Sequence, residues 1–122
     1  MNGNKLLLDT NIFIGLLNGN SAIKNFIDAY LPVCSFITEM ELLSYHALSS
    51  NQIATIESYL SQIEIEELNH PLKRKAIELR RNYRLKLPDS IIAATAIYHQ
   101  LPLLSLDTDF EKVEELLLLS FE

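Results

Sequence analysis

Residues Leu87–Phe110 read LPDSIIAATAIYHQLPLLSLDTDF, and this stretch decides the fold class. Its small and apolar residues from about Pro88 to Gln100 predict a helix. The LPLLSL that follows is a short, unalternating apolar run, which predicts a strand buried on both faces. A helix feeding such a strand points to an α/β domain with a mainly parallel sheet. Acids punctuate the stretch. Asp89 stands in the first turn of the helix, Asp107 at the carboxyl end of the strand, and Asp109 two residues further on.

The same pattern extends outward. KLLLD, ending at Asp9, is a second apolar run closed by an acid, and PVCSF (32–36) is another strand candidate. TNIFIGLL predicts a short helix that stops at the Asn18-Gly19-Asn20 turn signal. SAIKNFIDAYL predicts a further helix with Ile23, Phe26, Ile27 and Tyr30 on its stripe. TEMELLSYHALS (38–49) predicts another. NQIATIESYLSQI carries an Ile53, Ile56, Leu60, Ile63 stripe. IEIEEL alternates with period two, as a strand with one exposed face does. After Pro71, LKRKAIELRRNYRLK has an apolar stripe of Leu72, Ala76, Leu79 and Tyr83, with basic residues around much of the rest. VEELLLLSF fits a helical turn followed by a last strand.

The 122 residues predict one domain spanning 1–122, without linker, repeat or low-complexity tract. With only three Gly and four Pro and nearly half its residues apolar, the chain is globular. Its net charge of −6 argues against nucleic-acid binding through overall charge, though a local basic surface remains open. Cys34 is the single cysteine, so neither an intrachain disulfide nor a thiolate metal cluster can form. Neither a signal peptide nor a membrane-spanning run is expected from the apolar patterning, and the expected location is cytoplasmic.

Topology places the acids. Asp9 and Asp107 close strands at the carboxyl edge of a parallel sheet, and connecting helices begin at that same edge. Asp89 is in the first turn of one such helix. Glu41 is expected in the first turn of another, with Thr38 as N-cap in a Thr38-Glu39-Met40-Glu41 capping box. That edge is the usual ligand-binding side of open α/β sheets. Each acid also has a structural explanation, as an N-cap for Asp9 and Asp107 or as a complement to the helix dipole for Asp89. Together they are harder to explain so. Two carboxylates about 5 Å apart repel by roughly 3 kcal/mol at an effective dielectric near 20. A bound cation relieves that repulsion, and an all-oxygen donor set favours Mg²⁺ or Mn²⁺. Such a site suits phosphodiester chemistry. Asn11 can add an amide oxygen or bond a metal-bound water.

LLLDTNIFIGLL, SFITEMELLSY and LPDSIIAATAIYHQLPLLSLDTDF together resemble the PIN-domain nucleases, especially the toxins of VapBC-type toxin–antitoxin pairs. The resemblance covers nearly the whole chain in order. It implies a PIN-like three-layer α/β/α fold with a mainly parallel, four- to five-stranded central sheet. The family's acidic quartet falls on Asp9, Glu41, Asp89 and Asp107, as metal ligands and catalytic groups. Asp109 is a further candidate through water, and Glu39 a neighbouring alternative to Glu41. Asn11 and Ser105 are supporting residues, Ser105 standing where the family often has threonine. The implied activity is Mg²⁺- or Mn²⁺-dependent endoribonuclease cleavage leaving a 3′-hydroxyl and a 5′-phosphate. The implied partners are an RNA substrate, a cognate antitoxin whose C-terminal segment enters the acidic groove, and a second copy in a homodimer.

RNA needs cations beside such a groove. Seven of the ten basic residues fall between Lys73 and Lys86. Lys73, Arg80 and Arg84, seven and four apart, are the RNA-binding candidates on one helical side, against the alternative of an ordinary solvated face. His46, His70 and His99 are scattered, and Tyr45, Tyr59 and Tyr98 fit packing better than base stacking. A haloacid-dehalogenase-like phosphatase would want D-x-D where this chain has Asp9-Thr10-Asn11. A receiver domain would want a late lysine after its acids. The remaining rival is a non-catalytic PIN-like module that binds RNA or protein.

Overall fold

The computed structural model describes residues 4–121. Strands β1 (Lys5–Leu8), β2 (Leu31–Ser35), β3 (Glu64–Glu66), β4 (Leu103–Leu104) and β5 (Leu118–Leu119) form one sheet in the order β3-β2-β1-β4-β5. All four pairings are parallel. The helices are α1 (Thr10–Leu17), α2 (Ser21–Ile27), α3 (Phe36–Leu43), α4 (Ser50–Leu60), α5 (His70–Tyr83) and α6 (Leu87–His99), with a 3₁₀ turn at Thr108–Lys112.

The central position of β1 explains its unalternating leucines. Leu6, Leu7 and Leu8 are all fully buried, on alternate faces. Leu7 enters a core with Leu72 and Leu79 of α5 and Ile92 of α6. Leu6 and Leu8 enter the opposite core with Ile12 and Phe13 of α1 and Ile56 and Leu60 of α4. Three layers, α/β/α, follow directly. Ala93, Ala94 and Ala96 are buried, and their small side chains let α6 pack against both α5 and the sheet. Gly15 has a similar use, because a Cβ there would run into Ile23 of α2.

Several boundaries depart from the sequence reading. The Thr38 capping box is wrong. β2 ends at Ser35, whose hydroxyl accepts from the Ile37 N–H at 3.3 Å, so α3 starts three residues earlier than expected. Thr38 is therefore inside the helix and buried, and Glu41 is its sixth residue rather than part of the first turn. α3 also stops at Leu43, and α4 begins afresh with a Ser49–Gln52 capping box. α2 ends at Ile27, leaving Tyr30 beyond it with its ring stacked on Phe26. Finally, α5 ends at Tyr83, and Arg84 takes a left-handed conformation (φ 56°) as its C-cap. Lys73, Arg80 and Arg84 thus share no continuous helical face.

Candidate functional site

Asp9 directly follows β1, and its N–H reaches the Leu104 carbonyl at 3.1 Å, extending the β1–β4 ladder. One carboxylate oxygen caps α1, accepting from the Thr10 N–H at 2.8 Å. The other accepts from the Ser105 hydroxyl at 2.7 Å. Ser105 in turn accepts the Asp107 N–H at 3.0 Å, so one buried hydroxyl ties Asp9 to the chain just after β4. Asp107 caps the 3₁₀ turn, accepting from the Asp109 N–H at 2.9 Å. Capping therefore does hold for Asp9 and Asp107, and it fixes both carboxylates at the same edge of the sheet.

The tightest group is Asp89, Asp107 and Asp109. Each offers a carboxylate oxygen within 4.8 Å of the others. Asp89 comes in from the third position of α6, and its Oδ2 is buried without a hydrogen-bond partner among the described residues. Burial, then the charges of Asp9 and Asp107, push its carboxyl up to about 6. Asp9 is also raised, mainly by burial, against the lowering effect of its bonds from Ser105 and Thr10. Here desolvation and like charge act together on carboxylates with few donors to compensate them.

Glu41 stands to one side of this trio. Its Oε1 accepts from the Thr10 hydroxyl at 2.7 Å, and the Thr10 oxygen lies 2.9 Å from that of Thr38. Since Thr10 has one hydroxyl proton and gives it to Glu41, Thr38 donates to Thr10. Sequence reasoning missed this chain. Its signal was a threonine immediately after the strand-closing acid and another three residues before Glu41. Asn11, exposed in the first turn of α1, joins Thr10, Ile14, Tyr45 and Thr55 around an open hollow of about 780 Å³ beside Glu41. Glu39, in the first turn of α3, is not part of the tight group.

The donors suit a hard divalent cation. Every group in the trio is a carboxylate, and the half-buried Asp89 keeps one buried oxygen without a hydrogen-bond partner among the described residues, so the donor set fits such an ion. Cys34 cannot take part, since it is fully buried in β2 and burial pushes its thiol up to about 12. Among the basic candidates, Arg80 donates to the Leu85 carbonyl at 2.8 Å. Lys73 lies in the first turn of α5, about 15 Å along the axis from its far end. Lys86, which no sequence argument singled out, precedes α6 and partly offsets the acids around Asp89.

The profile of the PIN domain matches residues 6–116, which takes in Asp9, Glu41, Asp89, Asp107 and Asp109. The chain belongs to the PIN-domain family. This PIN domain is similar to a chain of a toxin–antitoxin complex from Klebsiella pneumoniae, with 34% identity and a TM-score of 0.81 over 91% of this chain and 94% of the other. It is also similar in fold to a chain of VapBC2 from Rickettsia felis, crystallised with a promoter DNA fragment, with 21% identity and a TM-score of 0.84 over 97% and 99% of the two chains. FitAcB from Neisseria gonorrhoeae gives 22% identity and a TM-score of 0.77 over 93% and 95%. No curated protein sequence matches significantly. No helix among the described residues is long and apolar enough to cross a membrane.

Proposed function

We propose that this PIN domain is a metal-dependent endoribonuclease, the toxin of a toxin–antitoxin pair. The observation that carries the reading is the convergence of Asp89, Asp107 and Asp109 around a buried, unpartnered Asp89 oxygen. Asp9, Asp89 and Asp107 would hold Mg²⁺ or Mn²⁺, with Asp109 reaching it through water. When bound, the ion would lower the pKa of water and offset charge on the leaving oxygen. Ser105 would keep the Asp9 carboxylate aimed into the group, and Glu41, steadied by Thr10, would orient the attacking water. Asn11 would bond water at the rim. Hydrolysis would add water across the P–O3′ bond, leaving a 3′-hydroxyl and a 5′-phosphate.

The hollow beside Glu41, with exposed Ile14 and Tyr45 on its wall, would receive a segment of a cognate antitoxin. The similar chain of a toxin–antitoxin complex from Klebsiella pneumoniae supports a cognate antitoxin as the partner. A homodimer is expected on the family resemblance. The test is cleavage of mixed RNA by purified, partner-free protein in Mg²⁺, in Mn²⁺ and in EDTA, beside Asp9→Asn. Metal-dependent cutting that Asp9→Asn abolishes while remaining folded is the expected result. Cutting by the folded Asp9→Asn protein at the wild-type rate would remove Asp9 from the site. A folded protein that neither cuts RNA nor binds metal would leave the non-catalytic binding module.

A further inference from the structure

An acidic groove that handles RNA needs phosphate-gripping cations close by, and the seven basic residues of α5 and its exit differ in their ability to serve. Lys75 is occupied by Glu115 at 2.7 Å and Glu78 at 2.9 Å. Arg80, though exposed, donates from its guanidinium to the Leu85 carbonyl. Lys73 and Arg74 lie at the start of α5, and Arg81 shares a hollow with Glu78 and Asn82. Arg84 and Lys86 remain. Both are exposed, and neither forms an ion pair among the described residues.

These two flank Leu85, which is only 3% exposed. The three residues are the whole connection between α5 and α6, and Lys86 stands three positions before Asp89. The connection is held at both ends of its middle residue: the Leu85 side chain is in the core and its carbonyl is bonded by Arg80. Arg84 occupies a left-handed position where glycine would be the easier residue. An arginine there places a long cation on a fixed turn. Two residues apart along a short connection, the Arg84 and Lys86 backbones are separated by about 7 Å at most, comparable with the step between successive phosphates of a single strand.

We propose that Arg84-Leu85-Lys86 is a rigid prong that grips successive RNA phosphates beside the acid cluster, with Arg80 as the residue that positions it. This rests on the endoribonuclease reading and replaces the Lys73–Arg80–Arg84 face as the RNA contact. Arg80 serves the turn, and Lys73 is too far along α5.

The test uses the full chain carrying Asp9→Asn, in Mg²⁺, with a fluorescent single-stranded RNA of random sequence. Anisotropy is read across a salt series for Arg84→Gly, Lys86→Ala, both together and Lys73→Ala, with Lys24→Ala on α2 as the control, and binding of fluorescent polyglutamate is read on the same variants. The double variant should bind about tenfold more weakly or worse, and its log Kd against log salt slope should fall by about 1.4, near 0.7 for each lost phosphate contact. Arg84→Gly should keep or raise Tm, because glycine suits the left-handed turn, so weaker binding cannot be laid to unfolding. If the Asp9→Asn protein binds RNA and the prong variants match it in Kd and slope, the prong is overturned alone. Loss confined to Lys73→Ala would return the RNA to the face of α5 and overturn it too. Loss of polyglutamate binding with RNA binding intact would assign the turn to an acidic protein partner instead. If the Asp9→Asn protein binds no RNA and wild type cuts none, the endoribonuclease reading falls, and the prong with it.

Discussion

Helix α6 has a carboxylate cluster at each end, and the two ends solve the same electrostatic problem differently. At its last residue, His99, the Nε2 lies 3.0 Å from Glu66, and neighbouring Glu64 is paired with Lys5 at 2.9 Å. There the protein supplies its own cation, and the two glutamates are hydrogen-bonded to one another. At its first turn, Asp89 meets Asp107 and Asp109 with Asp9 close by, and the donors holding these acids are hydroxyls and backbone N–H groups, all neutral. Lys86 is the cation whose charge reaches Asp89, and it is exposed. The glutamate pair has a lysine of the chain beside it, whereas the aspartates have no buried cation among the described residues and suit a divalent ion from solution.

The sharpest way to break this contrast is Asp89→Asn. Losing a ligand should lower metal-dependent cleavage about a thousandfold, a few kcal/mol of transition-state stabilisation. Removing a repelled, partly buried charge should at the same time raise the Tm of the metal-free protein at pH 7 by a few degrees. Mg²⁺ at a hundred times its Kd should stabilise wild type by about 2.7 kcal/mol and the variant much less. Thermal scans with and without Mg²⁺ check both statements. A lower metal-free Tm in Asp89→Asn would mean that the cluster is a structural network after all.

A smaller effect is expected at Thr10, the neutral donor that holds Glu41. Thr10→Val leaves shape and removes the hydroxyl, so cleavage should fall about 10- to 100-fold, as when a residue supporting a metal ligand is lost. Thr10→Ser should restore most of it. The contrasting change at the other end is Lys5→Met, which should cost up to about 1 kcal/mol of stability, as for other exposed ion pairs, and leave cleavage alone. Full activity in Thr10→Val would show that Glu41 needs no positioning.

Much of this arrangement was legible from residue order. Apolar runs closed by Asp9 and Asp107, and a helix opened by Asp89, place three acids at one edge once the sheet is parallel, and all four pairings are. What pattern could not supply was local competition between caps. Ser35 and Thr38 are both good N-caps, and only the end of β2 decides that Ser35 is used. That three-residue shift moved Glu41 along its helix. The end of α5 escaped pattern for a related reason, since periodicity continues through Arg84, whose backbone has already turned left-handed. Asp109 read only as a candidate through water, because pattern does not show the tight 3₁₀ turn in which Asp107 accepts the Asp109 N–H and the two carboxylates come together.

The least conspicuous difference between the two ends should appear in pH dependence. The hydrogen bond with Glu64, and then burial, raise Glu66 to about 7, while Asp89 is raised to about 6 chiefly by burial. A carboxyl raised on folding binds its proton more tightly in the folded chain. Its favourable contribution is full below the unfolded value and is lost as pH climbs through the folded one. Asp89 should therefore cost the metal-free protein stability as pH rises from about 4 past 6, and Glu66 as it rises from about 4.5 past 7. His99 and Glu64 act in the opposite sense, since burial lowers the first and hydrogen bonding to Glu66 and Lys5 lowers the second. The measurement is therefore a difference between each variant and wild type. Denaturant unfolding of Glu66→Gln should gain on wild type as pH rises through about 7, and Mg²⁺ should leave that gain unchanged. The corresponding gain of Asp89→Asn should shrink or reverse in Mg²⁺, because the ion stabilises the charged form of the wild-type cluster. An equal response of both windows to Mg²⁺ would mean that the ends of α6 are electrostatically one site.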